Sequence, residues 1–279
     1  MKADDWAEIP ELLHRHPAGA RVKDRSGDIP LHLALKKKAP LEVIVTLLAK
    51  YPVGAELEDS NGINALHLAL LANAPLQVIQ ALLKTYPAGA EGKTNSSVAR
   101  TGCLALRVNA SECSGLDLKS FASGLIDLEA LHLAAALNSS LAVINTLLET
   151  YPAAAEAISS SSDLFGYRWL PLHYALKASS NERVLQRLIA AYPAGVTQTV
   201  GISDCHDGLT LHLAIKYNAT IRIIEQLLKM YPDAVNAQLT SSSWGWGYFG
   251  YYFARVHVVC FLALLTCMPI SCCCFGPLR

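Results

Sequence analysis

Nine histidines and eight cysteines give this 279-residue chain the side chains for acid–base or metal chemistry. Five of the histidines share one motif, Leu-His-(Leu/Tyr)-Ala, at His32, His67, His132, His173 and His212. A common metal would need its ligands within a few ångströms of each other, since metal–nitrogen bonds are about 2.0–2.1 Å. Equivalent places on successive packed helices lie about 8–10 Å apart, so repeated histidines form a ladder and not a cluster. Their expected work is structural: to hydrogen-bond the backbone of the turn at each repeat. Asp204-Cys205-His206-Asp207 also crowds potential ligands together. All four lie on one short loop with no Cys-x-x-Cys partner, and a plain polar loop is the expectation. Neither a glycine-rich phosphate loop nor a Gly-x-Ser-x-Gly elbow occurs. No catalytic residue, cofactor-binding residue or metal ligand is therefore assigned, no cofactor is expected, and the chain is read as a non-enzyme. Lysine plus arginine number 23 and aspartate plus glutamate 23, a balance that argues against nucleic acid as partner.

The elements that carry the histidines follow from a second recurring pair. Tyr-Pro occurs at Tyr51, Tyr86, Tyr151, Tyr192 and Tyr231, each time at position +19 counted from a motif histidine. The path from proline to the next histidine varies, and is three times longer from Pro87 to His132 than from Pro52 to His67. The unit is thus a fixed block on connectors of unequal length. Within each block, apolar residues recur at +11, +12, +15 and +16 from the histidine, as in Val43, Ile44, Leu47 and Leu48. That spacing is one stripe of a helix of 3.6 period. Pro40, Pro75, Ser140, Asn181 and Thr220 precede it, residues suited to a helix start. The spacing predicts second helices over 41–50, 76–85, 141–150, 182–191 and 221–230. First helices are expected over 30–38, 65–73, 130–138, 171–179 and 210–218. Asn73, Asn138 and Asn218, all at +6, fit a left-handed residue that ends them. A single such pair cannot bury its stripe, whereas stacked pairs can.

Ile29-Pro30-Leu31-His32-Leu33-Ala34 and Leu170-Pro171-Leu172-His173-Tyr174-Ala175 resemble the Thr-Pro-Leu-His-x-Ala signature of ankyrin repeats. Asp59-Ser60-Asn61-Gly62 and the stretch from Asp204 to Gly208 look like the turn that precedes it. The resemblance covers about residues 1–238 and is to a divergent array. The signature threonine is replaced by Ile29, Asn64, Glu129, Leu170 and Leu209, so its usual hydrogen bond to the histidine is missing. The resemblance implies an all-α, ankyrin-like solenoid of stacked antiparallel helix pairs with short turn or finger connectors. It also implies a protein–protein interaction module, a scaffold or adaptor without catalysis, whose partner is another protein.

The chain divides accordingly. Residues 1–20 are read as an N-terminal half-repeat cap, with Ile9, Leu12 and Leu13 in register with Ile44, Leu47 and Leu48. Repeats fill 21–90 and 127–238, with a long, Ser/Gly/Ala-rich insert, read as disordered, over 91–126. Residues 239–279 are an aromatic and apolar tail. Val256 to Phe275 supplies 20 uncharged residues, the length of a membrane span. The competing account is an apolar tail with no membrane role. Met1 to Trp6 carries no leader-like apolar stretch, so the repeats are expected in the cytosol, free or anchored by the tail. Two functional alternatives stand beside the adaptor: a membrane-tethered adaptor, and a non-catalytic regulatory part of a larger enzyme. The position four after each histidine holds Lys36, Leu71, Ala136, Lys177 and Lys216. In ankyrin-like arrays this column lines the inner surface. Lys36, Lys37, Lys38, Leu71 and the neighbouring finger with Asp59, Asn61 and Asn64 are the candidate partner-binding residues; ordinary solvated lysines are the alternative.

Overall fold

The computed structural model describes residues 6–60, 62–91, 129–159, 169–203, 206–236 and 240–241. The chain forms two units, dividing between Tyr192 and Pro193. In the first, α1 (Ile9–Arg15) precedes four helix pairs: α2 (Pro30–Lys36) with α3 (Leu41–Lys50), α4 (Ala65–Leu71) with α5 (Leu76–Thr85), α6 (Ala130–Ala136) with α7 (Leu141–Thr150), and α8 (Pro171–Lys177) with α9 (Glu182–Ala191). First helices stack in the order α2, α4, α6, α8, and second helices in the order α1, α3, α5, α7, α9. This is an ankyrin-like solenoid built from residues spaced as the stripe requires. The Val-Ile-x-x-Leu-Leu positions are its core: Val78, Ile79, Leu82 and Leu83 are all buried in α5.

The five second helices, counting α11 in the second unit, have the bounds the spacing predicts. Each stops at Tyr-Pro and passes into a short 3-10 turn, such as Pro52–Ala55, because the residue before proline leaves the α region. First helices begin where expected but end two residues early. The cause is the residue at +6, which has positive φ in every repeat: Lys38 (55°), Asn73 (51°), Asn138 (54°), Ser179 (52°) and Asn218 (54°). Asparagine tolerates that conformation and announces it in the sequence; lysine and serine adopt it at a cost. Ser179→Gly is therefore expected to raise stability by about 0.5–1 kcal/mol, and Ser179→Val to lower it. The urea midpoints of the two variants check this, and a lowered midpoint for the glycine variant would refute it.

The cap and the stack share one rule. The exposures at the ends of the array assign the residue at +15 to the side of the preceding helix and that at +16 to the side of the following one. In α1, Leu13 is buried against α3, whereas Leu12, with no described helix before it, is 47% exposed. Leu12 thus departs from its aligned partner Leu47, which is buried. Repeats two and three are immediate neighbours, since α4 packs on α6 and α5 on α7. Residues 92–128, which hold nearly all of the insert of 91–126, lie outside the described set.

The second unit holds α10 (Thr210–Lys216) and α11 (Ile221–Met230). Its connector is a short antiparallel sheet of order β1-β2-β3: β1 (Thr199–Ser203), β2 (His206–Leu209) and β3 (Thr240–Ser241). The sequence reads as a simple turn here, and the structure corrects that. The path from Pro193 to His212 is longer than that from Pro52 to His67. The extra length and β-branched residues such as Thr199, Val200 and Ile202 draw the finger out into a hairpin. No strand among the described residues crosses a helical stripe.

Candidate interaction surface

Two turns of identical build precede α2 and α4. Asp24 begins the first and Asp59 the second, one repeat period apart. In each, the aspartate amide bonds the carbonyl four residues on, Asp28 (2.9 Å) or Ile63 (2.9 Å). The glycine closing each turn, Gly27 (φ 94°) or Gly62 (φ 71°), holds a left-handed conformation that a side chain would strain. Asp24 Oδ1 accepts the amides of Ser26 (2.8 Å) and Asp28 (3.0 Å). Asp59 Oδ1 accepts that of Ile63 (2.9 Å).

Between the turns lies a buried ion bracket. Lys36 Nζ sits 2.6 Å from Asp28 Oδ2 and 2.8 Å from Asp59 Oδ2. Asp28 Oδ1 accepts the amide of Ser60 (2.7 Å), so this carboxylate joins the first finger to the second. The lysine side chain is only 17% exposed and that of Asp59 is fully buried. Burial works to raise the Asp28 pKa, but the Lys36 ammonium and the Ser60 amide outweigh it and leave the carboxyl below its usual range. For Lys36, burial pulls the pKa down, and the two carboxylates overcome it and raise it.

The candidate residues therefore part company. Lys36 and Asp59 are committed to each other and to Asp28, inside the structure. Lys37 and Lys38 are exposed. Asn64 caps α4: its Oδ1 accepts the amide of His67 (2.9 Å) and the Nδ1–H of the same ring (2.7 Å). It does the work of the missing threonine. Leu71 is 8% exposed, a core residue instead of an open apolar contact, and Ala136, in the same sequence register, is buried too. Asn61 lies outside the described residues. Nor is the +4 column a free basic stripe farther on. Lys177 lies 5.4 Å from the Trp169 ring centre, and Lys216 lies 5.5 Å from that of Tyr217, both cation–π placements. Sequence reasoning missed Asp28 and Asp24. The signal for Asp24 was present, since Asp24 and Gly27 match Asp59 and Gly62 one period on. Asp28 matches Ile63, so periodicity could not reveal it.

The histidines serve the architecture in three ways. His32 and His132 donate from Nε2 to the carbonyls of Leu57 and Ala157, each 3.0 Å away and 25 residues ahead, tying a helix start to the next finger. His173 and His212 accept the amides of Leu170 and Leu209 at Nδ1 (3.0 Å each), capping their own helices. His67 instead carries its proton on Nδ1, facing Asn64. Burial pushes His173 down to about 3, with the nearby His132 adding to the shift, and burial also lowers His32 against the pull of the Leu57 carbonyl. A histidine depressed in the folded state favours folding fully above its unfolded pKa near 6.5, and that stability is lost as pH falls below it. Acidification from pH 7.5 to 5.5 is thus expected to cost at least about 1 kcal/mol, before the carboxylates protonate. His173→Asn, which keeps an acceptor for Leu170, should remove much of that slope. An unchanged slope in denaturant titrations of the variant would refute the assignment.

A cleft of about 250 Å³ between the turns of repeats two and three is lined by residues such as Leu70, Pro75, Ile79, Ser139 and Ser140, with no titratable group. Among the described residues no three His, Cys, Asp or Glu side chains gather as metal ligands. Likewise, no described helix is long and apolar enough to cross a membrane. Asp204, Cys205 and the segment Val256 to Phe275 lie outside the described residues.

No family model and no curated protein matches the sequence. Among solved structures, the human ASB11 ankyrin repeat domain is similar, with 22% identity, a TM-score of 0.48, and coverage of 72% of this chain and 69% of that one. The recurring helix pairs, the histidine caps and the left-handed residue between helices are seen directly in this chain. On those features its fold is a divergent ankyrin-repeat one.

Proposed function

We propose that the protein is a non-catalytic protein–protein interaction module. One observation carries this reading. The residues most able to do chemistry, the five histidines and the Asp28–Lys36–Asp59 bracket, are committed to caps and finger ties inside the structure. The cleft between repeats two and three has no titratable group in its lining. Stacked repeats of this kind bind along an extended surface. Lys37, Lys38 and the exposed finger residues are the contacts assigned to it; Lys36 and Asp59 hold the surface in shape.

The test is affinity capture from the native cell with the full chain as bait. A specific partner should be retained, and a Leu82→Ala/Leu147→Ala variant, loosened at two stack junctions, should lose it. Equal retention by both would refute an array-borne site. The membrane-tethered version rests on the composition of Val256 to Phe275 alone. A carbonate wash of cells expressing the full chain and a 1–240 truncation tests it, and equal extraction of both would exclude it.

A further inference from the structure

We propose that the first repeat is the seat of an acidic peptide segment of the partner, held by Arg21, Lys23, Arg25, Lys37 and Lys38. The proposal rests on the reading of the protein as a binding module and names the chemistry that the module selects. It begins from an uneven distribution of charge. Residues 21–38 contain six basic and two acidic residues in a chain of zero formal net charge, so the remainder is net negative by four. The two acids offset only part of that charge, since Asp24 alone of them is exposed. Asp28 is buried, with one oxygen on the Ser60 amide and the other on Lys36. Asp24 gives Oδ1 to two backbone amides that shape the turn. Lys36 withdraws inward together with Asp28 and Asp59. Five exposed cations remain, and none of them forms an ion pair with another described residue.

The geometry holds these cations on a firm support. Arg21, Lys23 and Arg25 lie on the finger, which is closed by the Asp24–Asp28 and Gly27–Asp24 backbone bonds and pinned to the next finger through Asp28. Lys37 and Lys38 close the first helix of the same repeat, and Lys38 is fixed at φ 55°. A support already ordered spares the entropy of fixing the loop on binding. The surface also has a boundary. One period on, Glu56 stands in the place of Arg21 and Glu58 in that of Lys23, both exposed, and Glu91 follows in the place of Glu56. Five cations flanked by acidic fingers match a short acidic run and repel a long polyanion. None of the residues from Arg21 to Lys38 is aromatic apart from the buried His32, so the patch offers no ring on which a base could stack.

The experiment measures fluorescence anisotropy of a labelled octaglutamate peptide with the full chain at low salt. Octaglutamate should bind, an octalysine control should not, and added salt should weaken the complex. Arg25→Glu/Lys37→Glu/Lys38→Glu should lower affinity by about tenfold or more, while Glu56→Lys/Glu58→Lys should raise it several-fold, with thermal midpoints unchanged in both. Absence of binding, equal affinity of the reversed variant, or tighter binding of a single-stranded oligothymidylate on the same residues would overturn the proposal. If the native partner is still captured by the reversed variant, only the acidic-peptide assignment fails. If capture itself fails, so does the reading of the protein as a binding module.

Discussion

Replacing Lys36 by methionine is expected to destabilise the protein by about 3–5 kcal/mol, the range for removing one partner of a buried ion pair. The methylene stem is roughly preserved, so lost packing contributes little. What remains are two carboxylates, Asp28 and Asp59, both buried and both aimed at the vacated ammonium position. Their like charges would then face the same space with no cation between them. Lys36→Glu should be worse, because it adds a third negative charge. Lys37→Ala, one residue on and exposed, should change stability by no more than about 0.5 kcal/mol. Combining Lys36→Met with Asp59→Asn should recover part of the loss, and a double-mutant cycle measures how much. The same charges predict the pH range in which the bracket acts. Asp28 is depressed when folded, so its contribution is present above the usual pKa of 3.8 and lost as pH falls through the lower folded value. Lys36 is raised, so its contribution is present below 10.5 and lost as pH climbs through the higher folded value. Equal chemical denaturation midpoints for Lys36→Met and Lys37→Ala would show that the bracket contributes nothing.

The second large effect belongs to the helical stripe. Leu82→Ala should cost about 2–5 kcal/mol, because Leu82 is fully enclosed in α5 between α3 and α7 and its loss leaves a cavity. Leu12 is the sharper control. It occupies the same aligned place in α1, yet nearly half of it faces solvent. Leu12→Ala should stay within about 0.5 kcal/mol. Two leucines in one register thus differ in whether a described helix packs before them. Comparable losses for both, in urea or thermal unfolding, would contradict the rule that +15 faces the preceding repeat.

The second helices are legible in the residues because their apolar stripe, their starts and their Tyr-Pro ends all repeat without exception. Local signals and stacking agree there, so tertiary context has nothing to override. First helices read two residues too long in every repeat, even where asparagine marks the left-handed turn at +6, because the helix already ends at +4 and the +5 residue belongs to the turn. Lys38 and Ser179 adopt that turn because the next helix must reverse direction there. The candidate surface is legible in place but not in state. A lysine at +4 looks like an exposed charge when its column is read alone. Its partner Asp28 breaks the repeat pattern, and a pairing across 32 residues between Asp28 and Ser60 has no local signature. The hairpin over 199–209 is hidden for a related reason: strand pairing depends on a partner, whereas a helix declares itself within its own period.

The direct packing of α4 on α6 has a consequence for how the chain can change over time. The connector from Pro87 to His132 is three times the length of the one from Pro52 to His67, yet the two helix pairs meet as neighbours. Closing a loop three times longer adds only about 1 kcal/mol of chain entropy to folding. The connector is therefore a place where sequence can be gained or lost by insertion and deletion while the helices on either side keep their register. Core positions of the pairs are held by packing, and length variation is channelled to one edge of the stack, where new contact residues can arise without a new fold.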